Sequence, residues 1–226
     1  MRSHLNTRPL FHQPIIKIMG FFFAQLHALC ETAAMSYRHF PAILYQSMPW
    51  KNGGGSTSEI FRYPENLESW QWRISVAEVA SDGAFSLFPG CQRSLTLLSG
   101  AGLFLHFENN TVELKPPHAS VYFSGEDKLR AELIDGATTD FNVIWQTGTH
   151  QITVERRAML GTLWFIPEPD VSWFIYFISG QGLLKSDPNS PEIQTGDAIW
   201  LRPNASEQRS MLEAFGEALW VKITEL

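Results

Sequence analysis

The stretch Leu95-Thr-Leu-Leu-Ser-Gly-Ala-Gly-Leu-Phe-Leu105 has a second copy in outline, Ile175-Tyr-Phe-Ile-Ser-Gly-Gln-Gly-Leu-Leu-Lys185. Each copy consists of an apolar segment, a Ser-Gly-x-Gly segment and a second apolar segment. We interpret the glycines as a tight turn between two strands, because such a turn needs a positive φ angle at its centre. A matching segment follows each copy, at 114–123 and at 193–201. The repeat therefore predicts a β fold unit that occurs twice.

Short apolar or alternating segments, separated by clusters of glycine, proline, asparagine and aspartate, continue from residue 37 to the end of the chain. Such segments are typical of short strands. We predict strands at 72–79, 94–107, 120–123, 129–133, 141–145, 151–156, 163–166, 173–178, 198–201 and 218–223. No apolar stripe at helical spacing extends far, because glycine or proline interrupts each one. Strands at this density indicate a sandwich or a barrel.

The order of these segments resembles the cupin barrel, in which a strand, a G-x-G turn and a strand precede a G-D turn and a further strand. Two copies predict an all-β bicupin with two jelly-roll halves of the RmlC-like type. The N-terminal barrel is expected at 37–150 and the C-terminal barrel at 151–226. Two unrelated β-hairpins with common turn residues are the alternative.

The composition narrows the class of protein. Hydrophobic residues make up 44% of the chain, enough for a buried core, which argues against disorder over most of the length. The net charge is −6 and the longest basic run is Arg156-Arg157, so we expect no nucleic-acid partner. Cys30 and Cys91 have no metal-binding spacing and predict no disulfide framework, which favours a reducing cytoplasm.

Residues 1–36 differ from the rest of the chain. Three basic residues precede the apolar segment 18–24, which is the order found in a secretory signal. This segment is short, polar residues follow it at once, and it is far below the ~20 residues that span a bilayer, so no membrane partner is predicted. We interpret 1–36 as an extension outside the fold, such as translation from a start upstream of Met35, with a signal as the alternative.

The N-terminal half contains a more particular string, Met48-Pro-Trp-Lys-Asn-Gly-Gly-Gly-Ser-Thr-Ser-Glu-Ile60, which resembles the opening signature of the HutD/Ves family. The resemblance continues through 72–78, 82–90, 92–98, 123–126 and 133–142, and so covers about residues 43–145. It implies a metal-free bicupin that genetic context links to histidine utilisation or to stress responses. It also implies a small-molecule-binding or regulatory role.

Many cupins hold a metal through a His-x-His motif, because imidazole nitrogens on adjacent strands converge on one ion. No two histidines of this chain form that motif, and we interpret His106 and His118 as ordinary strand-end residues. The sequence therefore predicts no metal ion and no cofactor.

The strongest chemical feature is a loop of five residues: Lys51, Asn52, Gly53, Gly54 and Gly55. Glycines let a backbone approach a ligand closely and turn successive N–H groups toward an anion. Together with Glu59, the loop is a candidate ligand site. The alternative is a bend between strands, with Trp50 in the core and Lys51 paired to Glu59.

Arg93 directly precedes an apolar strand, where its planar guanidinium is suited to hold a carboxylate with two parallel hydrogen bonds. Arg73 is a second candidate, on the same face of its strand as Ser75 and Ala77. That face lines either a lumen or the solvent. A solvated strand-end arginine is the alternative for Arg93.

These features favour a cytoplasmic protein that binds a small anionic carboxylate metabolite in the first barrel, and the resemblance to the HutD/Ves family implies that it regulates histidine utilisation. The first alternative is a metal-independent isomerase or hydrolase that uses Glu59, Lys51 or Cys91. The second is a stress-linked scaffold without a ligand. The oligomeric state is open, with a homodimer as the candidate assembly.

Deletion of residues 1–34 should leave the fold intact, because this segment lacks the alternation of turns and strands and loose termini contribute little to stability. We expect the melting temperature of the truncated chain to equal that of the full chain. A large decrease would show that the extension packs on the fold.

Overall fold

The computed structural model describes residues 36–116, 120–203 and 209–226. The extension up to residue 35, Cys30 and His118 lie outside these residues. The described elements are listed here in chain order: β1 (Ser36–Phe40), a 3-10 helix (Ala42–Leu44), β2 (Gln46–Pro49), β3 (Gly55–Tyr63), β4 (Trp72–Val79), β5 (Gly83–Ala84), β6 (Cys91–Ser99), β7 (Leu103–His106), β8 (Thr111–Leu114), β9 (Ser120–Ser124), β10 (Arg130–Leu133), β11 (Thr138–Gln146), β12 (His150–Phe165), β13 (Val171–Leu184), β14 (Ile193–Gln194), β15 (Ala198–Arg202) and β16 (Ser210–Glu225).

The predicted all-β class is confirmed, since every regular element of the described residues except the short 3-10 helix is a strand. No helix in this part of the chain is long and apolar enough to cross a membrane. The predicted strand Trp72–Val79 has the observed bounds of β4. The segments predicted at 151–156 and 163–166 are a single long strand, β12.

The strands form three antiparallel sheets. The first sheet has the order β2-β3-β4-β11-β6-β9 and the second has the order β5-β10-β7-β8, and both belong to the N-terminal half. The third has the order β1-β15-β13-β16-β12, with β14 paired to β13. β1 comes first in the chain, yet it pairs with β15 among the C-terminal strands. A contact of 2.9 Å between His39 Nε2 and Asp197 Oδ2 supports this pairing.

The central strands of the first sheet are buried on both faces. On one face, apolar side chains pack against the third sheet in a shared core, where the rings of Trp72 and Trp200 lie 5.1 Å apart. Phe141 on β11 and Phe174 on β13 belong to the same core and are fully buried. The opposite face of β4 and β11 points into the N-terminal barrel. Because side chains alternate along a strand, the polar residues between these apolar ones lie on that inner face.

The two Ser-Gly-x-Gly segments have different structures. In the first copy, Gly100 (φ 98°) and Gly102 (φ 117°) carry the chain from β6 in the first sheet to β7 in the second. In the second copy the predicted turn is wrong, because β13 continues through the segment. Gly180 (φ 86°) lies opposite Gly216 (φ 119°) of β16, next to a register shift, so the two strands bend together without separating.

The bend predicts a large cost for a side chain at Gly180. A Cβ atom there would overlap the Phe215 carbonyl oxygen, whereas a Cβ at Gly148 (φ 82°) would meet no atom within 4 Å. Gly148→Ala should therefore cost only the backbone term of ~1–2 kcal/mol, and Gly180→Ala should lower the free energy of unfolding by clearly more. Equal losses in urea unfolding would contradict close packing at the bend.

Candidate functional site

A cavity of about 600 Å³ lies against the inner face of the first sheet. Its walls come from β4, β6 and β11 and from the segments around β2 and β5. Of the residues predicted to bind a ligand, four line it: Lys51, Asn52, Arg73 and Arg93. The structure thus brings together two arginines from different strands with the beginning of the glycine loop.

Strand register explains why these side chains meet. Ile144 on β11 lies between Arg73 on β4 and Arg93 on β6 in one cross-strand row. Two residues away along β11, Asn142 lies between Ser75 and Leu95. All of these side chains share the inner face, because residues two apart on a strand point the same way.

The guanidinium of Arg93 is almost fully buried, with 4% of the residue exposed. One nitrogen, Nη1, donates to the Ser86 carbonyl oxygen at 3.2 Å, and three phenylalanine rings lie 4.9–5.3 Å from the guanidinium carbon. The Nε atom is buried with no partner, and no carboxylate of the described residues forms an ion pair with this side chain. Burial and the nearby Arg73 guanidinium lower the pKa of Arg93 to about 10. The aromatic rings attract its positive charge, but the charge has no carboxylate counterion among the described residues.

Glu59 neutralises only part of the charge around Arg73. The Arg73 Nε atom forms an ion pair with Glu59 Oε2 at 2.7 Å, but the angle is not that of a hydrogen bond. Arg62 donates two hydrogen bonds of 2.6 and 2.8 Å to the same carboxylate. Glu59 is thus paired with Arg62 and Arg73, and the alternative pair with Lys51 is wrong. One carboxylate shared by two guanidinium groups leaves this corner of the site positive.

Gly53 and Gly54 lie in the turn that precedes β3, and Gly55 is the first residue of that strand. Gly53 donates its N–H to the Trp50 carbonyl oxygen at 3.0 Å, and Gly54 donates to Asn52 Oδ1 at 3.0 Å. A Cβ atom at Gly55 would overlap the Glu78 carbonyl oxygen. Gly53 and Gly54 therefore donate within the loop, and Gly53, Gly54 and Gly55 do not line the cavity.

Sequence reasoning missed two polar residues of the cavity, Asp140 and Asn142. Asp140 is fully buried, and neither carboxyl oxygen has a hydrogen-bond partner among the described residues. Burial raises the pKa of Asp140 to about 7. The Oδ1 atom of Asn142 is also buried without a partner. In the sequence, Asp140 and Asn142 alternate with the apolar residues Phe141 and Val143. This alternation was the signal that could have placed both polar residues on one face of the strand.

Cys91 is buried and forms no disulfide. Burial raises the pKa of its thiol, and the opposing effect of Arg93 is smaller. A thiolate is the reactive form of cysteine, so this environment does not activate Cys91 as a nucleophile. No three His, Cys, Asp or Glu side chains within 36–116, 120–203 and 209–226 are grouped to hold a metal ion.

Comparisons with known proteins agree with this architecture. Residues 42–220 match the sequence profile of the HutD family. Protein Ves of Cronobacter sakazakii is 30% identical over 178 residues, which are 78% of this chain and 93% of that protein. The uncharacterized 21.2 kDa protein in the hutC 3' region of Pseudomonas putida is 42% identical over 102 residues. These residues are 45% of this chain and 54% of that protein, so the match spans about half the length of this relative. The structure of HutD from Pseudomonas fluorescens SBW25, solved in a formate condition, superposes with a TM-score of 0.71 at 25% identity and covers 84% of this chain and 100% of that one.

The raised pKa of Asp140 predicts that ligand-free wild type loses stability as the pH rises. The pKa of this carboxyl rises from its ordinary value of 3.8 in the unfolded chain to about 7 in the fold. Between these two pKa values the folded state binds more protons than the unfolded state, so the free energy of unfolding falls as the pH rises. The slope is at most ~1.4 kcal/mol per pH unit, and the total loss is at most ~4 kcal/mol.

Asp140→Asn has no ionisable carboxyl at this position and should not lose this stability. The melting temperature of the variant minus that of wild type should therefore become larger as the pH is raised from about 5 to about 8. Asp135→Asn, in an exposed turn, is the matched control and should keep the wild-type pH profile. A constant difference between Asp140→Asn and wild type would contradict the assigned pKa.

Proposed function

We propose that this chain, which belongs to the HutD/Ves family, binds a small carboxylate metabolite in the cavity of its N-terminal barrel. The observation that carries the proposal is the buried guanidinium of Arg93, whose charge has no carboxylate partner among the described residues. An uncompensated buried charge is costly, and an anion that pairs with it offsets the cost of desolvation. A carboxylate fits best because a guanidinium presents two parallel donors to its two oxygens.

The surroundings of Arg93 support the same ligand class. Arg73 adds positive potential to the same wall of the cavity, and Lys51 and Asn52 lie at its border. The volume of about 600 Å³ is within the range of small-molecule sites. Of the predicted ligand-binding residues, Arg93 is then the anchor of the carboxylate and Arg73 supports it. Lys51 and Asn52 follow β2, whose register with β3 and β4 puts them toward the other end of the cavity. Glu59 positions Arg73.

The relatives support a physiological role for this binding. The family match and the relative in the hutC 3' region favour a link to histidine utilisation. We propose that its ligand is one of the carboxylated intermediates of histidine degradation, and that binding regulates this process in the cytoplasm. The enzyme alternative has less support, since Glu59 is held by two arginines and Cys91 has a raised pKa.

Substitution of Arg93 tests the site. Calorimetry with a panel of small carboxylates, including the intermediates of histidine degradation, should identify a binder. Arg93→Ala should then weaken binding by roughly 2–5 kcal/mol, the usual effect of removing one partner of a desolvated charge pair. Arg93→Lys should recover only part of the affinity, because an ammonium lacks the two-pronged geometry.

Arg130→Ala is the matched control, because Arg130 is an exposed arginine on the second sheet, 3.6 Å from Asp82. It should leave the affinity unchanged. Equal affinities of Arg93→Ala and wild type would remove Arg93 from the site and contradict the proposal. Mass analysis after incubation with each binder separates binding from turnover.

A further inference from the structure

The cavity has two chemically opposite ends. Arg73 and Arg93 lie in the same cross-strand row as Ile144, whereas Asp140 lies four residues earlier on β11. At ~3.4 Å per residue this is about 14 Å along the strand. All three charged side chains line the same cavity. An ion pair with an arginine would lower the pKa of Asp140, whereas burial raises it, so the acid is separate from the arginines.

Three acceptor atoms toward the acidic end of the cavity lack a donor. Both carboxyl oxygens of Asp140 and the Oδ1 atom of Asn142 are buried and have no hydrogen-bond partner among the described residues. The neighbours of Asp140 in its row are Ala77 and Leu97, which have no polar side-chain atoms. A buried acceptor without a donor costs ~1–3 kcal/mol, and such groups are rare in folded proteins. This end of the cavity is therefore built to accept hydrogen bonds from an occupant.

We infer that the ligand carries, opposite its carboxylate, a nitrogen-bearing donor that hydrogen-bonds to Asp140. This inference rests on the proposed carboxylate site at Arg93. It identifies the ligand class as an acid whose far end is an amine, an amidine or an N–H heterocycle. Asp140 also acts as a specificity determinant, because the second carboxylate of a dicarboxylic acid would meet the buried acid and be repelled.

Three probes with the same chain of four methylenes separate these possibilities: 5-aminopentanoate, hexanoate and adipate. They end in an ammonium, a methyl and a carboxylate group. A second pair, 3-(imidazol-4-yl)propanoate and 3-phenylpropanoate, compares a ring with and without an N–H group. Dissociation constants are measured by calorimetry at about pH 8 with full-length wild type, Asp140→Asn and Arg93→Ala. Asp140→Ser is the second variant if Asp140→Asn does not fold, and Asp135→Asn is the matched control.

In wild type and Asp135→Asn, at least one of the two nitrogen-bearing acids should have a dissociation constant at least about tenfold lower than that of its partner without nitrogen, hexanoate or 3-phenylpropanoate. Adipate should bind most weakly of the three chain probes. In Asp140→Asn this preference should fall to about twofold or less. Arg93→Ala should weaken both members of a pair. Equal binding of both members to wild type, or a preference that persists in Asp140→Asn, would overturn the role of Asp140 and leave the carboxylate site standing. Absence of binding by every acid, or no effect of Arg93→Ala, would overturn the carboxylate site and this inference with it.

Discussion

The arrangement of the whole protein depends on the packing of the first sheet against the third. This contact buries one face of β4 and β11 in a shared aromatic core that includes Trp72 and Trp200. The other face of the same strands lines the cavity. A strand with alternating polar and apolar residues normally presents its polar face to solvent, but here the polar face is enclosed.

Enclosure gives the polar residues their chemical character. Arg93 would be an ordinary solvated side chain at the surface, whereas in the barrel it is a buried cation with three aromatic neighbours and no counterion among the described residues. Asp140 would be an ordinary ionised carboxylate, whereas burial raises its pKa to about 7. Both groups reduce the stability of the empty protein. Local costs of this kind concentrate at functional sites, where a ligand offsets them.

The same environment favours binding over catalysis. Two of the side chains that sequence reasoning considered for catalysis are restrained. Glu59 is paired with Arg62 and Arg73, and burial raises the pKa of the Cys91 thiol. The proposed site, with a cation at one end and an acid at the other, would discriminate between ligands by their polar ends. Such discrimination would suit the proposed regulatory role.

The sequence by itself determined the all-β class, the bounds of β4, and the placement of Arg73, Ser75 and Ala77 on one strand face, because these follow from local alternation and turn residues. Only the tertiary structure decided that this face lines a cavity, that Glu59 pairs with Arg62 and Arg73, and that β1 joins the third sheet. It also decided that Asp140 and Asn142 line the same cavity. The physical reason is that alternation assigns residues to faces, whereas strand pairing and sheet packing, which join residues distant in the chain, determine whether a face meets water, a core or a ligand.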